Sequence, residues 1–318
     1  MVTALRGARV TVTGGGGFLG RVVVDRLRQA GAEVQAARSR EYNLIEADAA
    51  RRLFQETKPQ VVIHLAARVG GIEANRRSPG LFFYENMAMG LNVIEEARRY
   101  GALEKLVVVG TTCAYPKFTP VPFKEADLWN GYPEETNAPY AVAKKALLVM
   151  AQGYREQYGL RSIYLIPGNL YGPHDNFDLQ TSHVIPALIR KFVQAKERRE
   201  PIVTVWGTGA PTREFVYVAD AAEGIVRATE RYDAPAPVNL AGSGEISIRA
   251  LVELVRELTG YAGEIVWDAS KPDGQPRRQL DGRLAREAFG YEARTALRDG
   301  LRETIAWFLS AAEPALRR

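Results

Sequence analysis

Tyr140 and Lys144 stand four residues apart in "YAVAK", the spacing that sets two side chains on one face of a helix. A free phenol titrates near about pH 10 and exchanges protons poorly at neutral pH. A neighbouring ammonium favours the phenolate and brings it toward the working range. Upstream, a hydrophobic run ends in "VVVGTTCAYPK", where Thr111 or Thr112 offers a hydroxyl to a substrate oxygen. Cys113 follows, the only cysteine of the chain, and a cysteine can serve as nucleophile or base through its thiolate.

A second group of residues suits a phosphorylated cofactor. "TGGGGFLG" places Gly14, Gly17 and Gly20 in a G-x-x-G-x-x-G pattern between a strand-like and a helix-like run. Glycines there permit a tight turn and close approach of backbone to pyrophosphate, while the helix N-terminus offers N–H groups and a favourable dipole. At the end of the next strand-like run, "AARSRE" carries Arg38 and Arg40 where an NAD-selective protein typically has an acid. Guanidinium groups suit a 2′-phosphate, so the pattern points to NADP(H), with NAD(H) left open by Glu41.

These residues need a scaffold that brings strand ends together. "RVTVTG", "EVQAA", "QVVIHLAA", "KLVVVGTT" and "RSIYLIPGNLYG" read as strands. They alternate with the helical patterns "FLGRVVVDRLRQAG", "ADAARRLFQET", "YENMAMGLNVIEEARRYG" and "YAVAKKALLVMAQGYREQYG". Such alternation predicts an α/β fold: a Rossmann-type, doubly wound parallel sheet covered on both faces. After Tyr171 the rhythm breaks into a turn-rich stretch, the helix "VIPALIRKFVQAKER", the strand "IVTVWGTG" and the returning pair "REFVYVADAAEGIVRATER". The expected organisation is a dinucleotide-binding domain of residues 1–170 plus about 214–242, with a smaller mixed C-terminal substrate lobe of about 171–213 plus 243–318. Ligand should lie between them, beyond the carboxyl ends of the strands.

Composition narrows the classes. The 318 residues are 46% hydrophobic and 25% charged, a globular balance. A net charge of +5 comes from 42 basic against 37 acidic residues, and the arginines are dispersed beside acids, so no nucleic-acid partner is expected. One cysteine and three histidines argue against a disulfide or a metal cluster. The first residues run directly into a strand pattern and no apolar stretch approaches roughly 18 residues. Neither leader nor membrane span is therefore expected, and the expected location is cytoplasmic.

The combination of glycine loop, strand-end threonine and Tyr140–Lys144 pair resembles the extended short-chain dehydrogenase/reductases. "AARVGGIEAN", "CAYPK", "TNAPYAVAKK", "NLYGPHDNF…SHVIPAL", "VWGTG…REF" and "DASKPDGQPRR" narrow the resemblance to the GDP-L-fucose synthase family. That family comprises NADP(H)-dependent GDP-4-keto-6-deoxy-D-mannose 3,5-epimerase/4-reductases. The resemblance implies that Thr111, Tyr140 and Lys144 serve carbonyl reduction, while Cys113 and His183 exchange protons beside the carbonyl. It further implies cofactor contacts from Phe18, Leu19, Asn43, Leu44, Ala66, Ala67, Pro167, Asn169, Leu170 and His183. Nucleotide-sugar contacts are implied for Asn169, Lys191, Trp206, Arg213 and Asp273, with no metal. A homodimer built on the helices around residues 84–100 and 140–158, paired as a four-helix interface, follows from the same resemblance.

Each assignment has a plainer competitor. Cys113 could be a small buried hydrophobe, His183 a helix cap, Trp206 a core residue, and Arg213 half of a surface pair with Glu214. His64 reads as structural and His174 as loop-shaping. For the whole chain the alternatives are an NAD-dependent nucleotide-sugar 4-epimerase, which needs neither Cys113 nor His183, and a dinucleotide-sensing protein without turnover.

Overall fold

The computed structural model describes residues 3–271 and 273–312; residues 1–2, 272 and 313–318 of the two expected units lie outside the described residues. Six parallel strands form the main sheet: β1 (Arg9–Thr13), β2 (Glu33–Ala37), β3 (Val61–His64), β4 (Lys105–Val109), β5 (Ser162–Pro167) and β9 (Val238–Leu240). Their order is β2-β1-β3-β4-β5-β9. β3, β4 and β5 are buried at every residue, which is why their sequences are continuous apolar runs instead of alternating ones.

Two helical layers explain that burial. Val107, Val109, Ile163 and Leu165 point toward α1 (Phe18–Gln29) and α7 (Val218–Arg231), packing with Val23, Leu27 and Ile225. The intervening Leu106, Val108, Tyr164 and Ile166 point the other way, against α2 (Ala47–Thr57), α4 (Pro79–Tyr100) and α5 (Ala138–Tyr158), through Phe54, Ile94 and Leu147. α3 (Ile72–Arg77), a short helix with no clear sequence signal, precedes α4. α4 starts at Pro79, five residues before the predicted Tyr84, because Pro suits the first helical turn.

The second lobe begins where "RSIYLIPGNLYG" was expected as one strand. The chain breaks at Gly168, and β6 (Asn169–Tyr171) leaves the main sheet to pair with β8 (Thr212–Tyr217). β8 also pairs with β10 (Glu245–Ser247) and β12 (Arg277–Arg278), while β7 (Ile202–Trp206) pairs with β11 (Glu264–Asp268). α6 (Val184–Arg198), α8 (Ile248–Thr259) and α10 (Leu297–Ala312) close a separate core around Ile189, Phe192, Val255 and Phe308. α7 and β9 return to the main sheet, whereas β8, within the same expected stretch, belongs to the smaller one. α9 (Arg283–Phe289) lies within the range expected for the substrate lobe, yet its Ala285 and Phe289 pack into the core beneath α7. Among the described residues no helix is long and apolar enough to cross a membrane, and no cluster of His, Cys, Asp and Glu could hold a metal ion.

Candidate active site

A cleft of about 1370 Å³ runs from the glycine loop, past the carboxyl ends of β1–β5, to the rim of the second lobe. At its cofactor end Gly14 has φ +70°, and a β carbon there would stand 2.9 Å from the Ala66 backbone nitrogen. A β carbon on Gly20 would collide with the Gly14 carbonyl oxygen, so the first turn of α1 sits directly on the loop. The result is a backbone cradle at a helix N-terminus, suited to a pyrophosphate. Gly17, Phe18, Leu19, Asn43, Leu44, Ala66, Ala67, Pro167 and Leu170 all border the cleft.

Arg38 lies across the loop, its Nε 3.3 Å from where a β carbon on Gly16 would stand. Arg38, Ser39 and Arg40 line this end, and Arg40 reaches Glu41 at 3.6 Å. Glu41 therefore neutralises part of Arg40 and leaves Arg38 facing the cleft. Arg21 also borders the cleft, its Nε donating to the Gly16 carbonyl at 2.8 Å.

Thr111, Cys113, Tyr140, Lys144 and His183 meet in the middle of the cleft. β4 ends just before Thr111, and the backbone N–H of Cys113 donates to Thr111 Oγ1 at 3.2 Å. Thr112 also borders the cleft, but its Oγ1 is sealed from solvent without a partner. Tyr140 sits in the first turn of α5, its ring edge-on to Phe82 at 6.4 Å. Burial pushes the Tyr140 phenol up, as does the sulfur of Cys113, while a Thr111 hydrogen bond opposes the shift. Lys144, one turn further on, is only 2% exposed, and burial brings its ammonium down to about 8. Its helix is pinned here by Tyr164, whose hydroxyl donates to the Lys144 carbonyl at 2.7 Å.

His183 is the N-cap residue of α6, yet its ring makes no capping bond; only its carbonyl joins the helix, accepting from Ala187 N–H at 3.1 Å. The imidazole is exposed at the cleft wall, where desolvation by the surrounding cleft and then the Arg278 charge hold it below its ordinary value. The other two histidines differ. His64 is fully buried at the end of β3, its Nδ1 2.8 Å from Thr13 Oγ1, and burial drives it down to about 3. His174 adopts φ +70° and packs on Trp307 at 4.7 Å, shaping the loop that borders the cleft.

At the far end the sugar-nucleotide candidates Asn169, Lys191, Trp206, Arg213 and Asp273 line the wall. Trp206 is 56% exposed, so it is no core residue, and Lys191 and Lys271 stand over its ring at 5.8 and 5.4 Å. Strand alternation separates Arg213 from Glu214: the glutamate is buried and accepts from Leu280 N–H at 3.2 Å, so the pair does not form. Arg213 is brought down to about 10, first by burial and then by Arg278. Asp273 is partly committed, its two carboxylate oxygens each accepting from Thr208, both at 2.7 Å. Asn169 donates to the Glu214 carbonyl at 2.9 Å, fixing β6 on β8.

Sequence reasoning passed over several cleft residues: Ser39, Glu134, Asn137, Asp175, Gln275 and Arg278. Burial of Asp175 pushes its carboxyl up to about 7. Arg278 had a usable signal. In "GQPRR" a strand must turn adjacent side chains to opposite faces; Arg277 pairs with Glu245 at 2.6 Å, which leaves Arg278 for the cleft.

Residues 10–241 match the NAD dependent epimerase/dehydratase family. The chain is 40% identical to GDP-L-fucose synthase 1 of Arabidopsis thaliana, over 96% of this chain and 94% of that protein. A solved GDP-L-fucose synthetase of Naegleria fowleri bound to NADP is 29% identical, with TM-score 0.87 over 98% of this chain and 96% of that one. A GDP-6-OMe-4-keto-L-xylo-heptose reductase of C. jejuni is 27% identical, with TM-score 0.90 over 98% of this chain and all of the other. With a Rossmann sheet, a glycine cradle and a Tyr140–Lys144 pair in one cleft, the chain belongs to the NAD dependent epimerase/dehydratase family, in its GDP-L-fucose synthase branch.

Proposed function

We propose that this protein is an NADP(H)-dependent 3,5-epimerase/4-reductase that converts GDP-4-keto-6-deoxy-D-mannose to GDP-L-fucose. The observation that carries the reading is the meeting of Cys113 and His183 with Thr111, Tyr140 and Lys144 in a single cleft beside the glycine cradle. A 4-epimerase or a simple reductase needs only the last three.

The chemistry follows from the substrate. C3 and C5 flank a carbonyl, so their protons are acidic. The Cys113 sulfur, as an anion, takes one: the C–H bond breaks, an S–H bond forms, and the electron pair moves onto the carbonyl oxygen as an enediolate. Thr111 and Tyr140, both on the cleft, are the hydroxyls that would donate hydrogen bonds to that oxygen. His183, protonated from solvent, returns that proton to the opposite face of the carbon. The carbonyl re-forms, the configuration inverts, and exchange with water removes the proton from Cys113 and restores that of His183. NADPH, when bound, supplies the hydride for C4. Tyr140, kept protonated by burial, then gives its proton to the new alkoxide, and Lys144 orients and supports it. Arg38 suits the 2′-phosphate, and Lys191 with Arg213 suits the sugar diphosphate.

The quaternary reading goes with this function. α4 and α5 pack side by side and expose Leu81, Phe83, Tyr84, Leu91 and Val149, apolar area that a second copy would cover as a four-helix interface. A single cysteine, which can form no intrachain disulfide, suits a reducing, cytosolic compartment.

The test is a product assay with purified protein, GDP-4-keto-6-deoxy-D-mannose and either NADPH or NADH, in deuterated water. Expected are NADPH consumption, GDP-L-fucose, and deuterium at C3 and C5. Cys113→Ser should suppress the deuterium label but keep residual reduction, and Tyr140→Phe should do the reverse. Tightly retained NAD with no NADPH consumption would mark a 4-epimerase instead. NADPH consumption without label would mark a plain 4-reductase.

A further inference from the structure

The base in this scheme has a partner that the reading above does not use. Cys113 is half-buried at the carboxyl end of β4, and Arg278 Nη1 lies 3.6 Å from its sulfur. The guanidinium is held from behind. Its Nε and Nη2 both donate to Gln275 Oε1, at 3.1 and 3.0 Å. Gln275 is itself buried and anchored by its own amide, which donates to the carbonyls of Lys117 at 2.8 Å and Pro116 at 3.4 Å. Those carbonyls belong to the same loop that carries Cys113. The strap therefore fixes the arginine relative to the sulfur, although 165 residues separate the two in the chain.

Among the described residues no carboxylate pairs with Arg278, so its charge is not cancelled locally. Tyr140 from α5, Arg213 from β8 and Arg278 from β12 bring charged or titratable groups to the sulfur, and Lys144 from α5 and His183 at the start of α6 border the same part of the cleft. Of these, Arg278 alone makes a hydrogen-bond contact with it. An arginine fork with one N–H aimed at sulfur prefers an anionic acceptor, because charge-assisted hydrogen bonds are the stronger ones.

We propose that Arg278, clamped by Gln275, is the positioning residue that donates a hydrogen bond to the Cys113 sulfur, stabilises negative charge when the sulfur bears it, and so sets the proton-exchange half of the reaction. The inference rests on the epimerase reading of Cys113, but its test does not. Cys113 is the only cysteine in the chain, so alkylation of the full-length protein by iodoacetamide reads this sulfur and no other. At pH 7 the alkylation rate of Arg278→Gln should fall roughly tenfold, whereas Arg278→Lys, which keeps a cation, should stay within about threefold of wild type. Near pH 10 the rates should converge, an outcome that a merely loosened loop would not produce. Should Arg278→Gln fail to fold, Gln275→Ala reads the same contact by unclamping the guanidinium, and a severalfold slower rate at pH 7 is expected. Alkylation of the folded Arg278→Gln protein, or of Gln275→Ala in its place, as fast as wild type at pH 7 overturns the inference. A wild-type enzyme that reduces its substrate without deuterium exchange would sink the epimerase reading instead, and the alkylation comparison would still decide the role of Arg278.

Discussion

The backbone N–H of Cys113 donates to Thr111 Oγ1 at 3.2 Å, so the proposed hydrogen-bond donor and the proposed base are tied by one bond. The bond occupies an acceptor site on the threonine oxygen and leaves its hydrogen to be donated, here toward the Tyr140 hydroxyl. Thr111 also starts the short 3₁₀ turn Thr112–Ala114 that aims the cysteine.

Thr111→Ser keeps hydroxyl and cap and should hold kcat within a few-fold. Thr111→Val keeps the shape but removes the donor, and should lower kcat by about 10²–10³-fold, the usual loss when a hydrogen bond to a developing oxyanion is removed. It also leaves the Cys113 N–H without its partner, at about 1 kcal/mol of stability. Steady-state NADPH oxidation checks the first effect and thermal melts the second. An unchanged kcat in the valine protein would remove Thr111 from the mechanism.

Arg38 and Arg40 are two residues apart, but the structure separates their roles. Arg38 lies over the glycine loop, while Arg40 is turned toward Glu41 and its side chain is 72% exposed. Arg38→Ala should therefore cut kcat/KM for NADPH by roughly 10–100-fold and leave NADH nearly untouched. Arg40→Ala should change either by less than about threefold. Equal losses with NADPH and NADH in Arg38→Ala would mean that the arginine supports the loop and does not read the 2′-phosphate.

Lys144 carries a pH signature of known sign. Its ammonium falls from 10.5 to about 8 because the side chain is buried, with no carboxylate paired to it among the described residues. The charged form needed beside Tyr140 is lost as pH rises through about 8, so the hydride-transfer rate should decline there. Stability moves oppositely. Between pH 8 and 10.5 the unfolded chain binds this proton and the folded one does not, so the cost of burying the cation fades as pH rises. Lys144→Met should accordingly abolish reduction yet stabilise the fold near neutrality, by up to about 3 kcal/mol. A methionine variant that melts below wild type at pH 7 would show that the lysine is paired after all.

Much of this could be read from the chain, for identifiable reasons. The helices "ADAARRLFQET" and "VIPALIRKFVQAKER" end where α2 and α6 end, because an apolar stripe and a polar face mark both boundaries. The residues that meet in the middle of the cleft could be picked out because they sit within short motifs at strand and helix ends. What could not be read was set by tertiary pairing. β6 leaves the main sheet because β8 offers it an edge, and nothing local in "IPGNLYG" says so. Asp273 is implied as a nucleotide-sugar contact, yet its carboxylate also ties its loop to Thr208. Arg278 reaches Cys113 only through the folding of the second lobe onto the first.

A buried lysine outside the cleft tests the scaffold itself. Lys105 opens β4 at the end of the sheet away from the active site and is fully buried. Its ammonium donates to the carbonyls of Thr229 at 2.6 Å and Tyr232 at 2.5 Å, with Ala228 at 3.4 Å. These lie at the C-terminus of α7, where unpaired carbonyls and the negative end of the helix dipole favour a cation. The lysine thus anchors α7 to the central strand that delivers Thr111. Lys105→Met has nearly the right shape but strands the Thr229 and Tyr232 carbonyls in an apolar core, at a cost of about 2–4 kcal/mol. The melting temperature should fall by roughly 5–10 °C while kcat at 25 °C stays within about twofold, since the strand end that bears the site is unaltered. If the methionine protein melts with wild type, water or a backbone shift already satisfies the end of α7, and the lysine is no anchor.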